Sequence, residues 1–359
     1  MHVVSKPVFK LRFLVLPALL ATALVLTIGR DGSSRLESLD GYTMGTRYHL
    51  QLVGVPEGLS RESLVTEIDD LLRYLDREVF STYVQESELS RFNRHPVGSA
   101  FAASPELLEV MSLALEIAAN TDGAFDPTIG ALVDLWGFGP GRNQGKGIVP
   151  STTEIQSLLA NTSFQHLLFE SAAGNLRKTR DLKIDLSGIA KGYAVDVLGS
   201  YLDGLGVENY FLDIGGELKM KGNKPGQRGW VPAIEAPENG TSAVYEILFS
   251  RGETLALAGS GDYRNYFEAD GERYSHEIDP CNGQPVSHGL VAVYVIDASA
   301  ARADALATAY MIMGLSKARS HAAQIGQAAY FIVNTGPGFA DYTTDAFARY
   351  LEEPATNGP

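Results

Sequence analysis

Apolar positions along this chain recur at two different spacings, and each spacing predicts its own kind of element. Between residues 62 and 80 they lie three or four residues apart, which predicts an amphipathic helix. Ser104 followed by Pro105 is typical of a helix start, because serine caps free amide groups and proline suits the first turn. Helices are predicted over 62–80, 104–119, 151–160, 189–205 and 301–313.

Shorter apolar or alternating segments predict strands over 47–53, 182–186, 210–214, 230–235, 244–249, 291–296 and 328–334. Within 263–278, Asp270-Gly271 separates two alternating segments and predicts a two-residue hairpin turn. Counting back from this turn pairs Glu268 with Arg273, Phe267 with Tyr274, and Asn265 with His276. Strands and helices mix without a strict βαβ alternation. The predicted fold class is therefore α+β.

The N-terminus carries a different pattern. A basic segment with Lys6, Lys10 and Arg12 precedes an apolar run over 13–28, which is typical of a secretory signal. As a helix the run would span roughly 24 Å, short of the ~30 Å hydrocarbon layer of a membrane. A buried core helix is the alternative, which the flanking charges disfavour. We expect a signal peptide or N-terminal membrane anchor over 1–30 and a polar linker over 31–40. The rest of the chain is expected to be exported, to the periplasmic face of the inner membrane or the soluble periplasm.

The charge balance argues against nucleic acid as a partner. Lys and Arg total 29 against 43 Asp and Glu, a net charge of −14, whereas binding to nucleic acid phosphates needs a surplus of cations. The chain has one cysteine, Cys281, so it contains no internal disulfide and no cysteine-rich metal site.

The segment from Asp185 to Tyr193 joins a predicted strand to a predicted helix. Ser187 and Gly188 suit the helix cap, which would leave free N–H groups at the helix start. Lys191 then lies in the first turn, where acidic side chains are preferred. A bound anion such as phosphate would explain a lysine there. The alternative is a capped surface helix with a solvated lysine.

Asp304 and Thr308 are four residues apart on a predicted alanine-rich helix, so their oxygens face the same way, one turn apart. A carboxylate and a hydroxyl are hard oxygen ligands that suit Mg²⁺. Alternatively, Thr308 bonds back to a helix carbonyl and Asp304 only complements the helix dipole.

His276 lies on the same face of the predicted hairpin as aromatic side chains. A histidine there serves as a general base if a hydroxyl approaches it, or it is a core histidine with one satisfied nitrogen. In the loops, Met44 and Tyr83 could hold a flat heteroaromatic ring by sulfur and stacking contacts, although core packing explains them equally well.

Together these motifs resemble the ApbE family of flavin transferases, which are FAD:protein FMN transferases. Three motifs are the most specific: Asp-x-Ser-x-x-Ala-Lys-Gly at 185–192, Ser-His-x-Ile-Asp-Pro at 275–280 and Asp-x-x-x-Thr at 304–308. Other matching segments follow the family's order from about residue 40 to 350: Thr43–Thr46, Ser81–Asn93, Asp126–Gly139, Leu212–Gly216 and Ser260–Tyr263. The chain departs from the family at the N-terminus, where the cysteine of a lipid anchor is absent after the apolar run.

The resemblance implies one large domain of two lobes over residues 41–352, with mixed or antiparallel sheets and flanking helices, that binds FAD between the lobes. It implies Mg²⁺-dependent transfer of FMN from FAD to a threonine hydroxyl of a target protein, with release of AMP. His276 resembles the base that deprotonates the threonine. The implied metal ligands are Asp304, Thr308 and the Gly188 carbonyl, and the implied nucleotide contacts are Met44, Tyr83, Asp126, Asp185, Lys191 and Ile278.

The resemblance also implies an acceptor with the segment Asp-x-x-Ser/Thr-Gly/Ala-x-Thr, expected to be a membrane or exported redox subunit. The chain lacks this segment, so modification of itself is not expected. Two alternatives remain open: the same site hydrolyses FAD to FMN and AMP, or the protein is an exported flavin binder without turnover.

Overall fold

A computed structural model describes residues 35–353, apart from 142, 171–173, 228, 238–242 and 264. The expected signal or anchor over 1–30 lies outside the described residues, as does the beginning of the expected linker. Among the helices that are described, none has the length and apolar character needed to cross a membrane.

The strands are β1 (Leu36–Thr43), β2 (Thr46–Val53), β3 (Phe101–Ala102), β4 (Leu167–Glu170), β5 (Asn175–Lys178), β6 (Tyr210–Ile214), β7 (Glu217–Lys221), β8 (Ala233–Glu235), β9 (Val244–Ile247), β10 (Leu255–Gly261), β11 (Tyr266–Ala269), β12 (Glu272–Ser275), β13 (Leu290–Asp297), β14 (Ala328–Asn334) and β15 (Phe339–Thr343). The helices are α1 (Arg61–Arg73), α2 (Glu88–Arg94), α3 (Pro105–Asn120), α4 (Gly130–Trp136), α5 (Thr152–Leu159), α6 (Ala190–Gly204), α7 (Ala300–Ile325) and α8 (Asp345–Ala348). The predicted α+β class is confirmed.

One large sheet organises the molecule. Its strand order is β1-β2-β6-β7-β10-β13-β14-β15, and every neighbouring pair is antiparallel. Two-residue turns join β1 to β2 and β6 to β7, whereas longer connections carry the chain through α6 before β6 and through α7 before β14. Smaller sheets form from β3-β5-β4, β8-β9 and β11-β12.

The main core lies between one face of this sheet and helices α1, α3, α6 and α7. The buried face of α7 is largely alanine, and α6 presents Gly192 to it. A Cβ atom at Gly192 would lie 2.3 Å from the Ala300 carbonyl oxygen, so only glycine permits this approach of the two helices. A second core covers the other face, and a satellite core with Trp136, Ile155 and Ile278 packs beside α4 and α5.

Most predicted helices are confirmed. The predicted 62–80 helix is α1, which continues as a π-helical segment, Tyr74–Phe80. Ser104 caps α3 by accepting a hydrogen bond from the Leu107 amide. Helix α7 runs further than predicted, because it continues beyond a break at Gly314, where φ is 71°. The predicted hairpin is β11-β12, with Asp270 and Gly271 at positive φ. Its register pairs Glu268 with Arg273 and Phe267 with Tyr274, as predicted. Just beyond the two strands, the His276 amide donates to the Asn265 carbonyl, in agreement with the third predicted pair.

Two expectations are wrong. The segment 182–186 forms no strand; only an isolated bridge joins Lys183 to Ile129. The polar linker ends before Leu36, because β1 begins there and pairs along its length with β2. Leu39 is buried in the main core, and this contact was not visible in a segment rich in polar residues. The strands expected over 230–235 and 244–249 are shorter than predicted.

Candidate active site

Two cavities meet at the start of α6. The larger, of about 570 Å³, is walled by residues of α6, α7, β7, β10 and the segment after β12. The smaller, of about 500 Å³, lies between the β1–β2 turn, the loop after the π-helical segment and the start of α6. Asp185, Ser187 and Lys191 line both cavities, so an elongated ligand could extend from one into the other.

The structure brings all of the predicted site residues to these two cavities. The larger is lined by Asp126, Asp185, Gly188, Lys191, His276, Ile278, Asp304 and Thr308. The smaller is lined by Met44 and Tyr83, together with Asp185 and Lys191. The placement agrees with a shared site, and the role of each residue remains a prediction.

Lys191 is engaged in an ion pair. Its ammonium donates a hydrogen bond to Glu217 Oε1 at 2.5 Å, and Glu217 is buried at the start of β7. The solvated-lysine alternative is therefore wrong. Burial opposes the charge of Lys191, but the carboxylates of Glu217 and Asp304 outweigh it and raise the lysine pKa. Burial also raises the pKa of Glu217, to about 8.

The start of α6 differs from the prediction. Its N-cap is Ile189, which makes no side-chain cap. Ser187 instead donates from its amide and its hydroxyl to Asp185 Oδ1, at 2.8 and 2.5 Å, in a tight turn before the helix. The Gly192 amide donates to Asp304 Oδ2 at 3.1 Å. One of the backbone N–H groups that were expected to be free at the start of α6 is therefore already bonded to a carboxylate of α7.

Asp304 and Thr308 face the larger cavity from α7, one turn apart. The Thr308 hydroxyl lies 3.2 Å from Ser260 Oγ on β10. Its partner is therefore on a neighbouring strand, whereas the alternative interpretation expected a carbonyl of its own helix. The backbone of Gly188 approaches closely, since a Cβ there would lie 2.9 Å from Thr308 Oγ1. Burial raises the pKa of Asp304, while Lys191 and the Gly192 amide act in the opposite direction.

These groups fit Mg²⁺. Glu217, Glu277 and Asp304 are buried acidic residues that interact electrostatically with Lys191, and burial raises the pKa of each. A bound cation would favour their ionised forms. Within the described ranges, no cluster of three or more His, Cys, Asp or Glu side chains has a metal-binding arrangement. The predicted ligands Asp304, Thr308 and the Gly188 carbonyl do not require such a cluster, because Mg²⁺ commonly takes one or two protein carboxylates and completes its shell with phosphate and water.

His276 lies just after β12 and is partly exposed in the larger cavity, so it is not the buried core histidine of the alternative, although one of its nitrogens has a partner, as that alternative expected. Its Nδ1 lies 2.9 Å from the carbonyl oxygen of Asn265. Because a carbonyl only accepts, Nδ1 carries the proton and Nε2 is left to accept one. Nε2 lies 3.7 Å from Glu277 Oε1, and the Phe138 ring contacts the imidazole edge-on.

The predicted nucleotide contacts have distinct settings. Met44 has a positive φ of 48° in the β1–β2 turn, a costly backbone conformation at the edge of the smaller cavity. Tyr83 is 60% exposed, and its hydroxyl lies 3.4 Å from the Phe138 carbonyl. Asp126 already accepts hydrogen bonds from the Thr128 amide and hydroxyl and from the Phe164 amide, so its carboxylate shapes the surrounding loop.

Sequence reasoning missed two cavity residues, Glu217 and Glu277. Glu217 directly follows Gly215-Gly216, where the matched segment Leu212–Gly216 stops. The sequence did carry one signal for Glu217, which is an acidic residue placed directly after a glycine turn, where a strand begins. Glu277 fills the variable position of the Ser-His-x-Ile-Asp-Pro motif, next to His276, and its burial could not be read from that motif.

A family model described as the ApbE family matches residues 44–332. The chain belongs to the ApbE family. A Vibrio cholerae protein (serotype O1, strain O395) named FAD:protein FMN transferase is 40% identical over 333 residues, 92% of this chain and 97% of its own length. A Salmonella typhimurium protein of the same name is 37% identical over 322 residues, 89% of this chain and 90% of its own.

Solved structures of ApbE proteins agree with the fold. The flavin transferase ApbE from Vibrio cholerae is 40% identical and superposes with a TM-score of 0.80, covering 89% of this chain and all of its own. The Pseudomonas stutzeri flavinyl transferase ApbE, in its apo form, is also 40% identical, with a TM-score of 0.80 over 90% of this chain and 99% of its own. The ApbE resemblance and the predicted fold are therefore confirmed.

Proposed function

We propose that this ApbE protein transfers FMN from FAD to a threonine hydroxyl of an acceptor protein and releases AMP. The observation that carries the proposal is the meeting of Lys191, the Asp304–Thr308 pair and His276 on one cavity. This cavity continues past Lys191 into a second one with Met44 and Tyr83. Relatives that align over nearly their whole length bear the corresponding name.

The diphosphate of FAD is proposed to bind at the junction of the cavities. Transfer of a phosphoryl-type group depends mainly on positioning and charge neutralisation. Lys191 supplies a cation held in place by Glu217. Asp304, Thr308 and the Gly188 carbonyl would hold Mg²⁺, which when bound would neutralise charge on the diphosphate oxygens. A protein of net charge −14 needs such a local cationic site to bind an anionic substrate.

His276 is proposed to take the threonine proton on Nε2, the nitrogen left unprotonated by the Asn265 contact. The threonine oxygen then forms a bond to the phosphorus on the FMN side of the diphosphate. The bond from that phosphorus to the bridging oxygen breaks, and AMP leaves with this oxygen. The proton passes from His276 to solvent, and the flavin is neither oxidised nor reduced.

The test uses the purified protein with FAD, Mg²⁺ and an acceptor domain that contains the Asp-x-x-Ser/Thr-Gly/Ala-x-Thr segment. Mass spectrometry should show the acceptor heavier by one FMN less one water, with AMP released in equal amount. An acceptor whose final threonine is replaced by alanine is the control. AMP without labelled acceptor would instead indicate a hydrolase, and bound FAD without AMP would indicate a flavin binder.

Export is proposed from the basic and apolar N-terminal pattern, and it makes a membrane or exported redox subunit the expected acceptor class. Fractionation of cells that produce the full chain tests this. We expect the protein outside the cytoplasm, and removal of residues 1–30 should retain it inside. An unchanged distribution after this truncation would contradict the proposal.

A further inference from the structure

Glu217 has one carboxylate oxygen that its ion pair with Lys191 does not use. Oε1 accepts the lysine hydrogen bond, whereas Oε2 is buried and has no hydrogen-bond partner among the described residues. The residue is only 1% exposed. Leaving a buried polar atom without a partner costs about 1–3 kcal/mol, and more when the group is charged. A partner supplied by a ligand would remove this cost.

The position of Glu217 says where such a ligand lies. Six described residues have a buried side-chain polar atom without a partner, and of these Glu217 is the one that lines the larger cavity. It does not line the smaller cavity with Met44 and Tyr83. Glu217 therefore forms part of the wall of the larger cavity, immediately beside the Lys191 ammonium, and Oε2 lies just beneath that wall.

The chemistry of the missing partner follows from its neighbours. Above its raised pKa of about 8, Glu217 is a carboxylate, which accepts hydrogen bonds and repels phosphate oxygens, so Oε2 then requires a donor. Glu277 and Asp304, the other buried acidic residues near Lys191, are acceptors when ionised and cannot supply it. If Lys191 binds the diphosphate, the nearest donors on FAD are the hydroxyls of the ribose and of the ribityl chain, which flank the diphosphate on its two sides.

We infer that Glu217 is a substrate-binding residue whose Oε2 accepts a hydrogen bond from a sugar hydroxyl next to the diphosphate, while Oε1 holds Lys191. This inference rests on the proposed use of FAD. Glu217 would then discriminate between ligands, because a nucleotide that lacks this hydroxyl would leave a buried carboxylate oxygen without a hydrogen-bond partner.

The test compares three ligands by isothermal titration calorimetry on the full chain, in the same Mg²⁺ buffer at about pH 9, where Glu217 is ionised. ADP has the ribose beside its diphosphate, FMN has the ribityl chain beside its phosphate, and inorganic pyrophosphate has neither. The variants are Glu217→Ala and Glu217→Gln, because glutamine keeps the volume and an oxygen for Lys191 but turns an amide donor toward the cavity. Glu57→Ala, at an exposed loop glutamate outside both cavities, is the matched control.

In each variant the change in pyrophosphate affinity measures the effect on Lys191 alone. We expect ADP or FMN to lose about 10-fold to 100-fold more affinity than pyrophosphate, the usual range for a hydrogen bond to a charged group. An excess loss for ADP identifies the ribose, and one for FMN identifies the ribityl chain. Equal changes in affinity for all three ligands in both variants would overturn the inference about Glu217. The proposal that the protein transfers FMN would still stand. Failure of the wild-type protein to bind any of the three would overturn it together with the proposed nucleotide site.

Discussion

Asp304 Oδ2 accepts a hydrogen bond from the backbone amide of Gly192 at 3.1 Å, so α7 supplies an acidic group at the start of α6. This position is favourable for a carboxylate, because the N-terminal end of a helix carries partial positive charge. The same side chain is the proposed Mg²⁺ ligand. One residue therefore supports both the helix packing and the chemistry, and substitutions can separate the two.

Asp304→Asn should keep the fold and lose the reaction. Asparagine retains an oxygen for the Gly192 amide, so its unfolding free energy should stay within about 1 kcal/mol of wild type. The lost charge should lower Mg²⁺-dependent transfer by about 10²–10³-fold. Asp304→Ala should lose both the hydrogen bond that supports stability and the Mg²⁺-dependent transfer. Thermal unfolding and transfer rates over a Mg²⁺ titration measure the two effects. Full activity of Asp304→Ala, with EDTA still inhibiting, would remove this residue from the metal site.

Gly188→Ala should damage the site more than the fold. The added methyl group would lie 2.9 Å from the Thr308 hydroxyl, which must then move away from its present position. We expect transfer to fall at least about 10-fold, with a higher Mg²⁺ requirement. Gly204→Ala at the end of α6 is the control, since nothing lies within 4 Å of its added Cβ. It should be active and slightly stabilised. Equal activity of the two variants would contradict a role for the Gly188 backbone.

His276→Ala should slow the transfer step by about 10²–10⁴-fold, the usual contribution of a general base. Affinity for ADP and FMN should stay close to wild type, because the proposed role is proton transfer. Single-turnover rates and calorimetry give the two quantities. His49→Ala, on β2 beside Asp40 and outside both cavities, should leave the rate unchanged. A wild-type rate in His276→Ala would mean that another group accepts the proton.

Glu217 should make stability depend on pH. Burial raises its pKa to about 8 in the folded protein, above its ordinary value of 4.5. The folded state therefore holds this proton more tightly than the unfolded state. The stabilising contribution of Glu217 to the free energy of unfolding is fully present below about pH 4.5 and is lost as the pH rises through 8.

The comparison of wild type with Glu217→Gln isolates this contribution, because glutamine does not titrate. The melting temperature of wild type should fall relative to that of Glu217→Gln between pH 4.5 and pH 8, and the difference should become constant above that range. Parallel melting temperatures across the range would show that Lys191 keeps Glu217 ionised throughout.

Features set by neighbouring residues could be predicted from the sequence. The Asp270-Gly271 turn fixed the hairpin register, and Ser104-Pro105 marked the start of α3, because both depend on local backbone chemistry. Features that depend on distant partners could not. Leu36 begins a strand only because β2 lies beside it, and 182–186 lacks the neighbouring strand that would make it one.

The same distinction applies to the site. The family motifs identified residues that do meet at the two cavities. They did not indicate the Lys191–Glu217 ion pair or the bond from Gly192 to Asp304, since these depend on how β7 and α7 pack against α6. The expected cap by Ser187 was wrong because its hydroxyl has a nearer acceptor in Asp185.

The absence of a side chain at Gly192 has a mechanical consequence. With no room between this residue and the Ala300 backbone, α6 and α7 are in direct backbone contact beside the site. The distance between these two helix backbones therefore helps to set the spacing of the Lys191 ammonium, carried by α6, and the Asp304 carboxylate, carried by α7. A mutation to alanine at Gly192 would wedge the two helices apart and change the spacing of both charges at once.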